Sequence, residues 1–196
     1  MATNHNDDVS THWTNLAHAN FSGFKWLGTP PEGAFRVRNE FFRDSMVNWS
    51  ALNDLAASLR STGCMMLESI GYGHSHMIRQ IKFVDGVSWI ARLAMPPFNF
   101  NENEKYLPKL DYWSRNDQLR MQSECDTMSF IKEKSTVPVP RIFHYSTTPA
   151  NPTGVPFQLM ECVFGNPAHN AIPSEYREKF HNQLAQYHVT TSPVLS

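Results

Sequence analysis

A β-hairpin in the middle of the chain constrains the fold most strongly. Residues 77–84, MIRQIKFV, alternate apolar with polar side chains, which is typical of a strand with one buried face. The dipeptide Asp85-Gly86 follows as a strong hairpin-turn signal, and residues 87–95, VSWIARLAM, predict the returning strand. Because Arg92 interrupts this apolar run and a guanidinium is costly to bury alone, we expect it either to meet an anion or to reach solvent.

The rest of the pattern places this hairpin in a small α+β unit. Apolar residues three and four apart predict a helix over Asp44–Arg60, and CMMLESI at residues 64–70 predicts a first strand. The later elements are a helix from residue 116 or 117 to about 134, strands at 141–146 and 155–161, and a last helix capped by Ser174. Five strands around one inserted helix, with flanking helices, predict an antiparallel sheet of the α+β class.

Composition narrows the functional classes. The chain has 196 residues, 41% hydrophobic and 18% charged, with a net charge of −1, so neither nucleic acid nor an anionic membrane is an expected partner. No apolar run approaches the roughly 18 residues that span a bilayer, and the N-terminus lacks the features of a signal or transit peptide. The three cysteines show no metal or redox spacing and are expected to be buried, reduced thiols. We expect a cytoplasmic protein.

Three stretches carry a resemblance to a known family. They are WIARL at residues 89–93, SECDTMSFIKEKSTVPVPRIFHY at 123–145, and NPTGVPFQLMECVFGNP at 151–167. In their order and spacing the chain resembles the N-terminal lobe of the aminoglycoside phosphotransferases, which share the protein-kinase-like fold, and especially their fungal members. The resemblance implies three regions: an N-terminal arm, partly disordered, at 1–43; a kinase-like nucleotide-binding lobe at 44–165; and the start of a truncated C-terminal lobe at 166–196.

The resemblance also implies an ATP site. In this fold the third strand delivers a basic residue to the α- and β-phosphates and a helix glutamate pairs with it, positions that Arg92 and Glu124 occupy here. Most kinases place lysine at the basic position, so arginine is a departure that bears more on catalysis than on binding. The other implied cofactor-binding residues are Gly71 and Gly73 in a loop whose backbone N–H groups face the phosphates, Ile78 and Ile90 above the adenine, and Glu161 and Val163 at the adenine hinge.

The family's catalytic machinery has no counterpart in the sequence. The catalytic aspartate and the magnesium-binding residues belong to the C-terminal lobe, and the chain stops at Ser196, just after the first helix of that lobe. We therefore expect no catalytic residue and no metal ligand in this chain. ATP binding should be weak or vestigial, and magnesium should bind only where the second lobe is present. The pair His74 and His76 lacks a third metal ligand.

Three functional hypotheses remain open from the sequence. The first is a truncated kinase-like protein, the nucleotide lobe of an ATP-dependent small-molecule phosphotransferase whose acceptor is unspecified. The second is a non-catalytic binding or regulatory module that meets a partner chain, or a second copy, through its exposed face and the last helix. The third, an unrelated small α+β enzyme, would need a polar cluster that the sequence does not display.

Overall fold

The structure is a computed structural model that describes residues 32–97, 99, 106, 111–165 and 176–195, with side chains to residue 186. The first described helix, Ala34–Phe41, continues directly into a single π-helical turn at Phe42–Met46. The helices are α1 (Ala34–Phe41), α2 (Trp49–Arg60), α3 (Arg115–Lys134) and α4 (Arg177–Leu195). The strands are β1 (Cys64–Tyr72), β2 (His76–Phe83), β3 (Ser88–Ala94), β4 (Ile142–Ser146) and β5 (Phe157–Glu161).

The five strands form one antiparallel sheet in the order β1-β2-β3-β5-β4. Helix α3 lies between β3 and β4 in the chain, so one long connection separates the first three strands from the last two. The predicted α+β class, with a five-stranded antiparallel sheet and an inserted helix, is confirmed. No helix in the described part of the chain is long and apolar enough to cross a membrane.

The central hairpin forms at the predicted turn. The amide of Phe83 donates to the carbonyl of Val87 at 2.9 Å, and Gly86 has a φ of 88°, a value that L side chains rarely adopt. Asp85 also receives a hydrogen bond of 2.6 Å from Arg60 at the end of α2. This ion pair attaches the helix to the tip of the hairpin.

The sheet has two covered faces. Alternate residues of β3, among them Trp89, Ala91 and Leu93, belong to the main apolar core together with Leu52 and Ala56 of α2. The opposite face meets α3, where Met121 and Cys125 are buried against Ala94. Because side chains alternate along a strand, Arg92 lies on the α3 face.

The first helices differ from the prediction. The helix predicted from Asp44 begins at Trp49, because Asn48 leaves helical geometry and its side chain accepts the amide of Ala51 at 3.1 Å. Helix α1 falls within region 1–43, which the sequence predicted as an arm, and buries Arg38 and Asn39, and Phe42 follows it into the core. The rest of that arm, residues 1–31, lies outside the described residues.

The strand ends differ only slightly from the predicted ones. Strand β1 continues to Tyr72 rather than ending at Ile70, because Ile70, Gly71 and Tyr72 still pair with β2 after a register shift. Helix α3 begins one residue before Asn116, with Ser114 as its cap in a reciprocal pair with Asp117. The predicted cap of the last helix, Ser174, lies outside the described residues.

Candidate functional site

Arg92 meets three protein groups on the α3 face of the sheet. Its Nη1 donates to Glu124 Oε1 at 3.0 Å and to Gln158 Oε1 at 2.6 Å. Its Nη2 lies 3.4 Å from His76 Nδ1. The Arg92 side chain is 23% exposed. The interrupting charge of β3 is therefore neither isolated nor directed fully into solvent, because an anion and two neutral acceptors surround it.

Helix α3 brings Glu124 to this cluster. Met121 and Cys125 anchor the helix on the sheet, and Glu124, beside Cys125, remains 42% exposed. The Gln158 amide closes the arrangement by donating to Glu124 Oε2 at 3.4 Å and to Cys125 Sγ at 3.2 Å. Glu124 thus holds Arg92 from one side while part of its carboxylate reaches solvent.

His76 is a neutral member of the cluster. Burial is the largest cause that lowers its pKa to about 4, and the nearby Arg92 guanidinium lowers it further, against an opposing contribution from Glu124. A neutral imidazole can leave Nδ1 without a proton, which allows it to accept from Arg92. His76 therefore joins the β1–β2 turn to the arginine.

The turn between β1 and β2 differs from the predicted phosphate-binding loop. Gly71 lies in β1, paired with Ile78, and only Gly73 belongs to the turn. The Gly73 amide donates to the His76 carbonyl at 3.0 Å, so this N–H is engaged within the turn, contrary to the expectation that it faces phosphate. A Cβ on Gly73 would stand 2.9 Å from that carbonyl oxygen, which explains the glycine by close approach rather than by positive φ.

The two predicted adenine-facing residues share the face of Arg92. Ile78 is the direct cross-strand partner of Arg92, and Ile90 precedes it by two residues on β3. Ile78 is half-buried, whereas Ile90 is buried. The structure therefore brings Ile78, Ile90, Arg92 and Glu124 together, with Ile78 the more accessible of the two apolar residues.

The predicted hinge residues lie apart from this cluster. Glu161 ends β5 opposite Trp89, and its carboxylate accepts from the Arg141 amide at 3.0 Å and from Lys132 Nζ at 3.4 Å. Val163 follows at 55% exposed. An adenine hinge binds through backbone groups rather than through side chains. The side chains of Glu161 and Val163 therefore do not test this role, which stays a prediction.

Sequence reasoning missed Gln158 and the polar contact made by His76. Gln158 is fully buried and is the cross-strand partner of Arg92 on β5. Its signal was available, because Gln158 is the one polar residue in the run VPFQLM at residues 155–160. Finding its partner requires the β3–β5 pairing, which joins segments 66 residues apart in the chain.

The cysteines form no second site. Cys125 and Cys162 are buried, Cys64 is half-buried, and all three are free thiols. Burial raises the pKa of each thiol, which leaves them protonated at neutral pH. Across the described part of the chain, no group of three His, Cys, Asp or Glu side chains could hold a metal ion.

Comparison with known proteins gives a short match to two curated proteins. No family model and no solved structure matches the chain. A stretch of 43 residues is 49% identical to proteins named subtelomeric hrmA-associated cluster proteins in two strains of Aspergillus fumigatus. The match covers 22% of this chain and 8% of each relative. It therefore concerns a small fraction of the relatives' length.

Proposed function

We propose that this chain is the nucleotide-binding lobe of a kinase-like, ATP-dependent small-molecule phosphotransferase, resembling the aminoglycoside phosphotransferases. The observation that carries the proposal is the 3.0 Å pair between Arg92 Nη1 and Glu124 Oε1. It joins a third-strand base to an acid on the helix inserted between β3 and β4. That pair is the arrangement by which kinase-like lobes hold a phosphate-binding base in place.

The residues present fit the phosphates of ATP through one anchor. The Arg92 guanidinium has five N–H donors and makes three contacts, with Glu124, Gln158 and His76, so donors remain for a phosphate. Glu124 fixes the guanidinium by a charge-assisted hydrogen bond, so Arg92 would be oriented before a nucleotide arrives. Ile78, beside it in register, offers apolar surface for a base.

The proposal leaves catalysis to groups outside this cluster. ATP supplies the phosphoryl group, and the role of Arg92 is to neutralise charge on the phosphates it contacts. No magnesium ligand is assigned to the described residues. The small-molecule acceptor and the role of the whole protein are parts of the proposal that rest on the resemblance, and the cytoplasmic location rests on the cysteines and the N-terminal sequence.

The test is a calorimetric titration of the full chain with ATP and with adenosine. Arg92→Ala should weaken ATP binding about tenfold to a hundredfold, as expected for loss of hydrogen bonds to a charged group, and should leave adenosine binding unchanged. Lys82→Ala is the matched control, because Lys82 is an exposed cation of β2. Equal ATP affinity in Arg92→Ala and Lys82→Ala, with circular dichroism showing both folded, would overturn the assignment.

A second candidate is a non-catalytic binding module. It is favoured by the three protein partners of Arg92, which could satisfy the guanidinium without a ligand. In that case Arg92→Ala would lower stability while ATP bound neither variant nor wild type. The same titration, combined with urea unfolding, therefore distinguishes the two functions.

A further inference from the structure

Strand β1 carries more residues than its partner β2 can pair. Met66 lies opposite Ile81, and the next pair joins Ile70 to Arg79. Three residues of β1, at 67–69, therefore face a single residue of β2, which makes this an enlarged β-bulge. Strand β1 is also an edge strand of the sheet, so among the described strands only β2 fixes its register.

The side chain of Arg79 holds the bulge in place. Its Nε donates to the Leu67 carbonyl at 2.8 Å, and its Cζ lies 4.7 Å from the centre of the Trp49 ring on α2. Burial lowers the pKa of Arg79 and the nearby Arg43 lowers it further, whereas Glu68 raises it. Within the described part of the chain, neither Arg79 nor Glu68 belongs to an ion pair. A carboxylate of the bulge thus lies near Arg79 without contacting it.

Without the bulge, the pairing of the first half of β1 would continue along the strand. Extending the present pairs of residues 64–66 places Glu68 directly opposite Arg79, and opposite charges at such positions stabilise a sheet. The second half of β1 would move by two residues. Because side chains alternate with a period of two, this move leaves each residue on its present face of the sheet. Ile70 would stay on the core face, opposite Met77.

The turn between the strands would change with the register. At present the Gly73 amide donates to the His76 carbonyl at 3.0 Å. Arg38 of α1, which is 1% exposed, donates to the carbonyls of Gly73 and His74 at 3.4 and 2.8 Å. In the second register Gly71 would lie opposite His76, and the loop would lengthen from two residues to four, which is also a common hairpin length. The contacts of Arg38 therefore favour the observed register.

We propose that β1 has two registers on β2 and that Arg79 switches between them. In the observed register Arg79 bonds the Leu67 carbonyl, and in the second register it pairs with Glu68. Docking of α1 through Arg38 selects the bulged register, and release of the turn by α1 lets the end of β1 slide by about 7 Å. The pairing of β2 with β3, which carries Arg92, is the same in both registers. This inference is therefore independent of the proposed function.

The first test is chemical exchange saturation transfer NMR on the full wild-type chain, which detects minor states that exchange in milliseconds. A minor state of about 1–10% should appear at residues 67–76 and not in the β2–β3 pair, with carbon shifts typical of a strand at residues 67–71. Random-coil shifts there would indicate local unfolding and would overturn the proposal. The absence of any minor state, in wild type and in the variants below, would overturn it as well.

Arg79→Lys is the variant that should populate the second register, because it keeps a cation for Glu68 but removes the Nε donor to Leu67. The minor population should rise at least threefold. New Hα–Hα contacts should join residue 68 to 79 and residue 70 to 77, since odd-numbered residues of β2 form the non-hydrogen-bonded pairs with β1, whose Cα atoms lie about 4.5 Å apart. Arg38→Lys, which weakens the hold of α1 on the turn, should raise the population too, and an unchanged population would overturn the part of α1.

Glu68→Gln provides the matched comparison. Added to Arg79→Lys, it should lower the minor population about twofold to fivefold, as expected for loss of a cross-strand charge pair. Glu133→Gln, at an exposed glutamate of α3, should leave the population unchanged. Equal populations with Glu68→Gln and Glu133→Gln would overturn the switch. If Arg79→Lys fails to fold, the same two substitutions in the wild-type chain decide the question.

Discussion

At the scale of single residues, the ion pair of Arg92 contributes little to stability, which favours the proposed role in binding. Its side chain is 23% exposed and that of Glu124 is 42% exposed, and ion pairs of such exposure contribute only about 0–1 kcal/mol. A hydrophobic residue on β3 would fill the same position without the cost of desolvating a charge. The retained charge, oriented by three neighbours, is what the proposed phosphate-binding role requires.

His76 gives the cluster a pH dependence. Its pKa is about 4 in the folded protein and near 6.5 when unfolded, so acid protonates the unfolded chain first. The free energy of unfolding should fall by about 1 kcal/mol per pH unit from pH 6.5 toward pH 4, and this contribution is fully present above pH 6.5. Urea unfolding of wild type and His76→Gln at several pH values measures it. If the free energy of unfolding had the same pH dependence in the two proteins, the lowered pKa of His76 would be contradicted.

Gly73 should tolerate no side chain. In Gly73→Ala the new Cβ would stand 2.9 Å from the His76 carbonyl oxygen, a backbone atom that cannot move cheaply. The expected loss is about 1–3 kcal/mol of unfolding free energy. Gly63→Ala is the control, because its Cβ would meet Val84 Cγ1 at an ordinary 3.7 Å. Equal urea midpoints for the two variants would refute the close approach at Gly73.

At the scale of elements, helix α2 packs against the main core through one of its faces. Leu52 on this face is fully buried, whereas Leu59 on the same helix is 44% exposed. Leu52→Ala should therefore cost about 2–5 kcal/mol, and Leu59→Ala less than about 1 kcal/mol. Thermal or urea unfolding of the two variants checks the difference. Similar losses would mean that α2 packs by another face.

The elements that the sequence predicted best are those with local signals. The Asp85-Gly86 turn and the alternation of β2 depend on neighbours in the chain, and both appear in the structure. The π-helical turn at Phe42–Met46, which carries the buried Phe42, has no such periodic signal. Of the partners of Arg92, Glu124 was expected from the resemblance, whereas Gln158 was not predicted. Gln158 reaches Arg92 only through the pairing of β3 with β5.

At the scale of the whole molecule, the two faces of the sheet carry different kinds of cluster. The face toward α2 carries the main apolar core, and the face toward α3 carries the polar cluster of Arg92, Glu124, Gln158 and His76. Helix α1 joins the two through the β1–β2 turn, which Arg38 holds from one side and Arg92 contacts, through His76, from the other. A ligand that binds the α3 face would therefore leave the core undisturbed.

The most direct measurement of the central claim is an NMR titration of the full chain with ATP, observing every assigned backbone amide. The account predicts shift changes confined to the α3 face, centred on Arg92 and Ile78, and lost in Arg92→Ala. Shift changes centred instead on α2, or unaltered by Arg92→Ala, would contradict it.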